Sequence, residues 1–488
     1  MSKTGPHGAD IPFIISNPTK RCNDEERKLI RSHVMRGKNR KKIPPRPSSW
    51  INGRADCHEG DLWKNRLSYA PTKVGGEFSL TPFSAEMTPR TLETIRKRKQ
   101  GPSHGTLCFI PAYLVPFIVR YAMFPLQLGW PSEKTEASWF EPIWRDVACL
   151  HFTLFTTNTY LSTIYGHEED RDTALVHFSE ALSILQKRLD GSDDALSVSD
   201  TTILIVVGLT MAATALGDFE TAAKHLSGLH KMVALRGGLS SFQGKKLLQA
   251  KICRADLEVT ISTGCKPLIC SKDFSWGSYL SSSGQTLVSS TSSPTTKRCA
   301  AELESFLGRI DTRLRLVWLD LAEFVRAVNI ARQTRLDIDS ELYMEAMVSI
   351  HYRLLYLRYD VDDVCEAVRL GLLAFASTLF LQWRDIKPRF EHLARRFRHA
   401  LSLLRYNKEV MPAELRLWLY MAGPICVFDD AEAALYPALI EVLRYLQLTT
   451  WEEVKQTMKA ILWVDFLHDF RGKSIVKAVL VDSRVGHG

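Results

Sequence analysis

The sequence predicts an all-α protein, an irregular multi-helix body behind a basic and mostly disordered N-terminal arm. Three observations predict it. From about Leu107 onward, apolar residues recur at three- and four-residue spacing, as on one face of a helix. No stretch sustains the two-residue alternation of a strand beyond isolated short runs. The charge is also unevenly divided: residues 1–100 carry 21 Lys+Arg against 10 Asp+Glu, whereas the other 388 carry 42 against 44. The chain has 488 residues, 45% hydrophobic and 24% charged. That is ample for a large core, and it excludes a collagen-like fibre, a wholly disordered chain and a small disulfide scaffold.

The arm is expected over residues 1–105. Pro12 and Pro18 break its first part. One helix is expected near 23–37: Asn23 caps it, Asp24, Glu25 and Glu26 lie in its first turn, and Gly37 and Pro44 stop it. Leu29, Ile30, His33 and Val34 make a narrow apolar stripe on it. Lys38, Arg40, Lys41 and Lys42 follow at its end, and Arg96, Lys97, Arg98 and Lys99 form a second basic run. Such runs suit an import receptor, an acidic partner or nucleic-acid phosphates.

A first helical half is expected over 106–280, with helices from Ile143 to Tyr165, Asp172 to Leu189, Ser199 to Leu216, Asp218 to Leu235 and Phe242 to Thr263. Gly217-Asp218 separates the third and fourth. Gly237-Gly238 is expected to end the fourth on a left-handed backbone. Residues 281–298 are Ser/Thr-rich and read as a linker or a long surface loop. The second half, 299–488, is expected to hold helices from Ala300 to Arg335, Ser340 to Leu357, Val361 to Arg384, Phe390 to Asn407, Pro412 to Ala422, Ala431 to Leu446 and Trp451 to Leu467. The apolar stretch Thr201 to Gly217 is shorter than the ~20 residues that span a bilayer, and reads as a buried helix. Met1 to Asp10 lacks an apolar signal core, so secretion is not expected. The ten cysteines are scattered, which suits free thiols.

Motifs for chemistry fail on their context. Gly101-Pro102-Ser103-His104-Gly105 has the letters of a nucleophile elbow, but a charged run precedes it where a strand is required. No phosphate loop and no dinucleotide fingerprint is present. Cys57-His58 lacks a second pair, Cys265 and Cys270 lack a partner pair, and His225 and His230 diverge by about 140° around a helix. No catalytic residue, metal or cofactor is expected, and no enzyme.

The body resembles the fungal-specific transcription factor domain family, the helical regulatory region found downstream of a zinc binuclear cluster. The residues that carry the resemblance are Ser199-Asp200, Gly217-Asp218, His225 to Leu229 and Met232 to Gly238. Lys251-Ile252, Arg254 to Leu257, Gly264, Pro267, Trp451 to Val454 and Trp463 to Gly472 continue it. In the arm, Phe13, Pro18 and Arg27 to Arg36, with the basic run after them, resemble a branch without the cluster. Zinc-bearing members have six closely spaced cysteines, whereas residues 1–100 hold Cys22 and Cys57. The resemblance therefore implies a nuclear, helical, regulatory role without direct sequence reading. The implied partners are an import receptor and transcription-related proteins, with a homo- or heterodimer as one form. Contact with nucleic acid would be weak, non-specific and made by the arm, and no membrane is expected. The alternative is a cytoplasmic helical scaffold or small-molecule sensor that has kept the fold without a DNA role.

Overall fold

The structure, a computed structural model, describes residues 126, 128–129, 145–165, 168–191, 193–270, 275–278, 280, 294–382, 390–404, 411–428 and 433–485. All belong to one unit, residues 79–488. The helix expected near 23–37, both basic runs, the Gly101–Gly105 motif and residues 281–293 of the expected linker lie outside the described residues. Among the described residues 81% are helical, so the body is all-α.

Helices α1 (Val147–Tyr165) and α2 (Glu168–Asp190) open the body, and the short α3 (Asp194–Ser197) leads into α4 (Asp200–Leu216). α5 (Phe219–Leu235), a 3₁₀ turn at Leu239–Phe242 and α6 (Lys246–Thr263) follow. α7 (Pro294–Arg309) starts inside the segment read as a linker. After it come α8 (Thr312–Thr334), α9 (Ser340–Tyr356), α10 (Val364–Phe380) and α11 (Glu391–Leu404). α12 (Ala413–Ala422) runs into a π turn at Gly423–Val427, and α13 (Tyr436–Tyr445), α14 (Trp451–Ile461) and α15 (Asp465–Val485) complete the order. Leu128–Gly129 pairs in parallel with Ile338–Asp339, a two-residue ladder.

Local chemistry sets these boundaries. Ser199, Asp218, Asp311, Asp339 and Asp363 each accept a backbone N–H at a helix start. Thr450 and Glu453 form a reciprocal capping box at α14. Gly217, Gly237 and Gly238 have φ of 78°, 96° and 86°, and Gly238 has ψ of −175°, a region only glycine enters at low cost. The left-handed stop expected at Gly237-Gly238 is present.

Two helices expected as continuous are each divided. Asp311 caps α8, so the Ala300–Arg335 stretch breaks at Ile310-Asp311. The Trp451–Leu467 stretch breaks at Leu462 to Val464, where tertiary partners occupy the backbone. Trp418 Nε1 donates to the Leu462 carbonyl at 2.7 Å and Asn329 Nδ2 donates to the Trp463 carbonyl at 2.8 Å. The Val464 N–H donates to His468 Nδ1 at 3.3 Å.

One hydrophobic cluster runs through the body, from Ala148 and Ile203 to Trp418 and Val479. α4 packs on α1, α5 and α6; α6 packs on α9 and α11; α10 packs on α9, α11 and α12. Among the described residues one segment, Asp194–Leu216, is long and apolar enough to cross a membrane by length and composition alone. Its helix α4 packs against α1, α2, α5 and α6.

Candidate functional site

α6 is the centre of the body, and it carries charge into the core. Ala250 and residues 252–262 are all buried, although Arg254, Asp256 and Glu258 lie among them. Such a helix gains little from intrinsic propensity, since Val259, Thr260, Ile261 and Thr263 are β-branched; burial on all sides sustains it. A buried charge is costly unless it is paired or hydrogen-bonded: Arg254 and Glu258 pair with each other, and Asp256 is held by hydrogen bonds alone. Arg254 Nε donates to Glu258 Oε1 at 2.8 Å, while Nη1 and Nη2 donate to the Phe380 and Leu381 carbonyls at 3.1 and 2.9 Å. Arg254 thereby caps the C-terminus of α10, where a cation suits the helix dipole. The Tyr343 hydroxyl of α9 donates to the same Phe380 carbonyl at 2.9 Å. Burial holds the Glu258 carboxyl above its ordinary pKa even though Arg254 pulls it down.

Asp256 points the other way. Its carboxylate accepts the Leu268 and Ile269 N–H groups at 2.9 and 3.2 Å and the Tyr352 hydroxyl at 2.7 Å. It ties the segment after α6 to α9. Burial raises the Asp256 pKa, and the three donors limit the rise.

Two further ties complete this polar frame. Asp200 at the start of α4 pairs with Arg236 at the end of α5 and, at 2.5 Å, with Lys245 at the start of α6. Burial alone would raise Asp200, and the two cations outweigh it and hold the carboxyl below its usual range. Arg353 of α9 pairs with Asp320 of α8 at 2.5 Å, both essentially fully buried, and Asp320 also accepts Ser278 Oγ and the Leu280 N–H.

Buried histidines are held neutral. His351 Nδ1 donates to the Met347 carbonyl at 2.8 Å, which assigns that tautomer and leaves buried Nε2 without a hydrogen-bond partner. Burial lowers its pKa to about 4. His151 and His177 face each other across α1 and α2 with Nδ1 atoms 2.9 Å apart, so one imidazole donates to the other. Burial first, and then the neighbouring His151, lower the His177 pKa to about 4.

A shallow, open cleft of about 390 Å³ lies between the last turns of α8 and the first turns of α15. Asn329, Arg332 and Gln333 line one wall, and Asp465, Phe466, Asp469 and Phe470 the other. Phe470 is 70% exposed and Phe466 38%. The Arg332 guanidinium lies 5.2 Å over the Phe466 ring. Lys455 binds Asp469 at 2.6 Å and Lys459 binds Asp465 at 3.0 Å, so the acids of the wall are already neutralised. Trp463 Nε1 donates to Asp469 and fixes its orientation. Chemically the cleft is an aromatic contact surface with a polar rim.

The sequence-derived site residues Lys38, Arg40, Lys41, Lys42, Arg96, Lys97, Arg98 and Lys99 all lie outside the described residues. Phe466 and Phe470 lie within the Trp463–Gly472 stretch of the resemblance, and their four-residue spacing is the sequence signal of a shared helix face. The cysteines described with their side chains are all free thiols. Among the described residues no three His, Cys, Asp or Glu side chains are grouped to hold a metal ion. No protein-family model, curated protein or solved structure matches the chain.

Proposed function

We propose that the chain is a nuclear transcriptional regulator-like protein that acts through its helical body and its partners, with a fold like that of the fungal-specific transcription factor domain. One coincidence carries this reading. Several residues of the sequence resemblance are among those that tie the body's helices together: Asp200 with Arg236, Arg254 at the end of α10, Asp256 with Tyr352, and Trp463 with Asp469. In this reading the arm supplies import signals through its basic runs, and the Phe466–Phe470 cleft supplies exposed aromatic surface for a partner protein.

A fluorescent fusion tests it. Neutralising Lys38, Arg40, Lys41, Lys42 and Arg96 to Lys99 together is expected to move the signal from nucleus to cytoplasm. A nuclear signal that does not change removes the import role. In the intact fusion, Phe466→Ala with Phe470→Ala is expected to leave localisation intact while transcript levels of affected genes change.

A further inference from the structure

The cleft opens onto a longer exposed stripe of α15. Phe466, Phe470, Lys473 and Lys477 stand at i, i+4, i+7 and i+11, which places all four on one narrow face of the helix. All four are exposed, while His468, Ile475 and Val479 on the opposite face are buried. The stripe runs for about 16 Å along the helix axis, at 1.5 Å per residue. Its aromatic end forms one wall of the cleft, and Asn329, Arg332 and Gln333 of α8 form the other. Its lysine end lies beyond the cleft, two turns further along α15.

The acids beside the stripe already have cations. Asp469 holds Lys455 at 2.6 Å, and Asp465 holds Lys459 at 3.0 Å with Lys455 at 3.7 Å. Lys473 and Lys477 differ: among the described residues no carboxylate pairs with either. Arg332, Lys455, Lys459, Lys473 and Lys477 outnumber Asp465 and Asp469, and they still do once Glu452 and Glu453 at the start of α14 are counted. The face therefore has an exposed aromatic end and a positive end.

A small ligand is held by a pocket that buries most of its surface, which a shallow, open cleft does not do. A groove between two helices instead takes a third helix along its length, anchored by apolar residues at i, i+3 or i+4, and i+7. The two exposed phenylalanines offer large apolar contact area to such anchors. The lysines favour carboxylates on the same occupant and disfavour a basic one. The chain's own arm is basic, with 21 Lys+Arg against 10 Asp+Glu over residues 1–100, and so carries the wrong sign. We infer that this face docks an acidic amphipathic helix of another protein, its apolar anchors against Phe466 and Phe470 and its carboxylates against Lys473 and Lys477. The inference rests on the regulatory reading only in taking the occupant to be a partner protein.

The test titrates the full chain into labelled peptides at physiological salt and reads fluorescence anisotropy. The acidic probe is an amphipathic helix of about 18 residues, long enough to cover the stripe, with leucine on one face and glutamate on the other. A second probe has lysine in place of glutamate, and a third scrambles the acidic probe so that no face is apolar. The wild type is compared with F470A and K473E/K477E; these side chains are exposed, so both variants are expected to keep the wild-type melting temperature. Saturable one-to-one binding of the acidic probe, weakened at least tenfold in F470A and in K473E/K477E, is the expected result. The lysine probe is expected to bind K473E/K477E more tightly than wild type. Absent binding of the acidic probe, equal binding of the lysine or scrambled probe to wild type, or an affinity unchanged in either variant overturns the site. A dimer of the full chain that F470A dissociates also overturns it, in favour of a second copy. Peptide binding by the purified chain does not depend on localisation, so this site can fail while the fusion stays nuclear, and a cytoplasmic fusion whose purified chain binds the acidic probe refutes the regulatory reading alone.

Discussion

Replacing Arg254 by methionine removes the head group that joins α6 to α10 while keeping most of the side-chain volume. Three charge-assisted bonds are lost, to Glu258, Phe380 and Leu381. At about 1.5 kcal/mol each, these amount to ~4.5 kcal/mol. That agrees with the loss of about 3–5 kcal/mol seen when one partner of a buried ion pair is removed. The Phe380 carbonyl keeps the Tyr343 hydroxyl, whereas Glu258 is left buried without its cation. Chemical unfolding of the full chain is the assay: the midpoint should fall with an unchanged slope. The pH dependence gives a second signature. The folded-state pKa of Glu258 is already raised, so its contribution is fully favourable below the unfolded carboxyl value of about 4.3 and is lost as pH rises through the folded value. Without Arg254 the rise is larger, so the deficit of the variant should be greatest at neutral pH and shrink on acidification. Arg254→Met combined with Glu258→Leu should recover at least ~1 kcal/mol, because no buried carboxylate is then left unpaired. A single variant within ~1 kcal/mol of wild type, or a double variant no better than the single, refutes the reasoning.

Gly237→Val or Gly238→Val forces a branched side chain into a left-handed backbone and should destabilise the body by ~1 kcal/mol or more; unchanged melting temperatures for both refute the assignment. Gly371→Ala places a Cβ 2.4 Å from Leu419 Cδ2 and 3.1 Å from the Trp418 ring, so unfolding measurements should show a loss of about 1–3 kcal/mol. His351 is held neutral down to about pH 4 in the fold, so its contribution is present above the unfolded value of about 6.5 and is lost as pH falls toward the folded one. His351→Leu should therefore flatten the stability profile near pH 5 by up to one proton, about 1.4 kcal/mol per pH unit; an identical slope contradicts the buried neutral imidazole.

Much of the body is legible in the sequence. α4 and α5 lie within one residue of their expected bounds, because Ser199, Gly217, Asp218 and Gly237 state the caps locally. The break before α15 is not legible. Leu462 to Val464 continue an apolar periodicity, and only distant Trp418 and Asn329 turn their carbonyls out of a helix. The polar frame is half legible. Arg254 and Asp256 stand out as letters of a resemblance, but that they face opposite partners, the end of α10 and the segment after α6, depends on packing between residues more than a hundred positions apart in the first case. The Glu366 pairing is hidden for a similar reason: Arg369 and Arg396 reach the same carboxylate from two different helices.

Chromatin occupancy of the tagged full chain, measured across the genome beside the variant with both basic runs neutralised, tests the regulatory reading most directly. Discrete peaks for the full chain, lost together with nuclear signal in the variant, are the predicted result. A cytoplasmic protein with no occupancy under several growth conditions contradicts it.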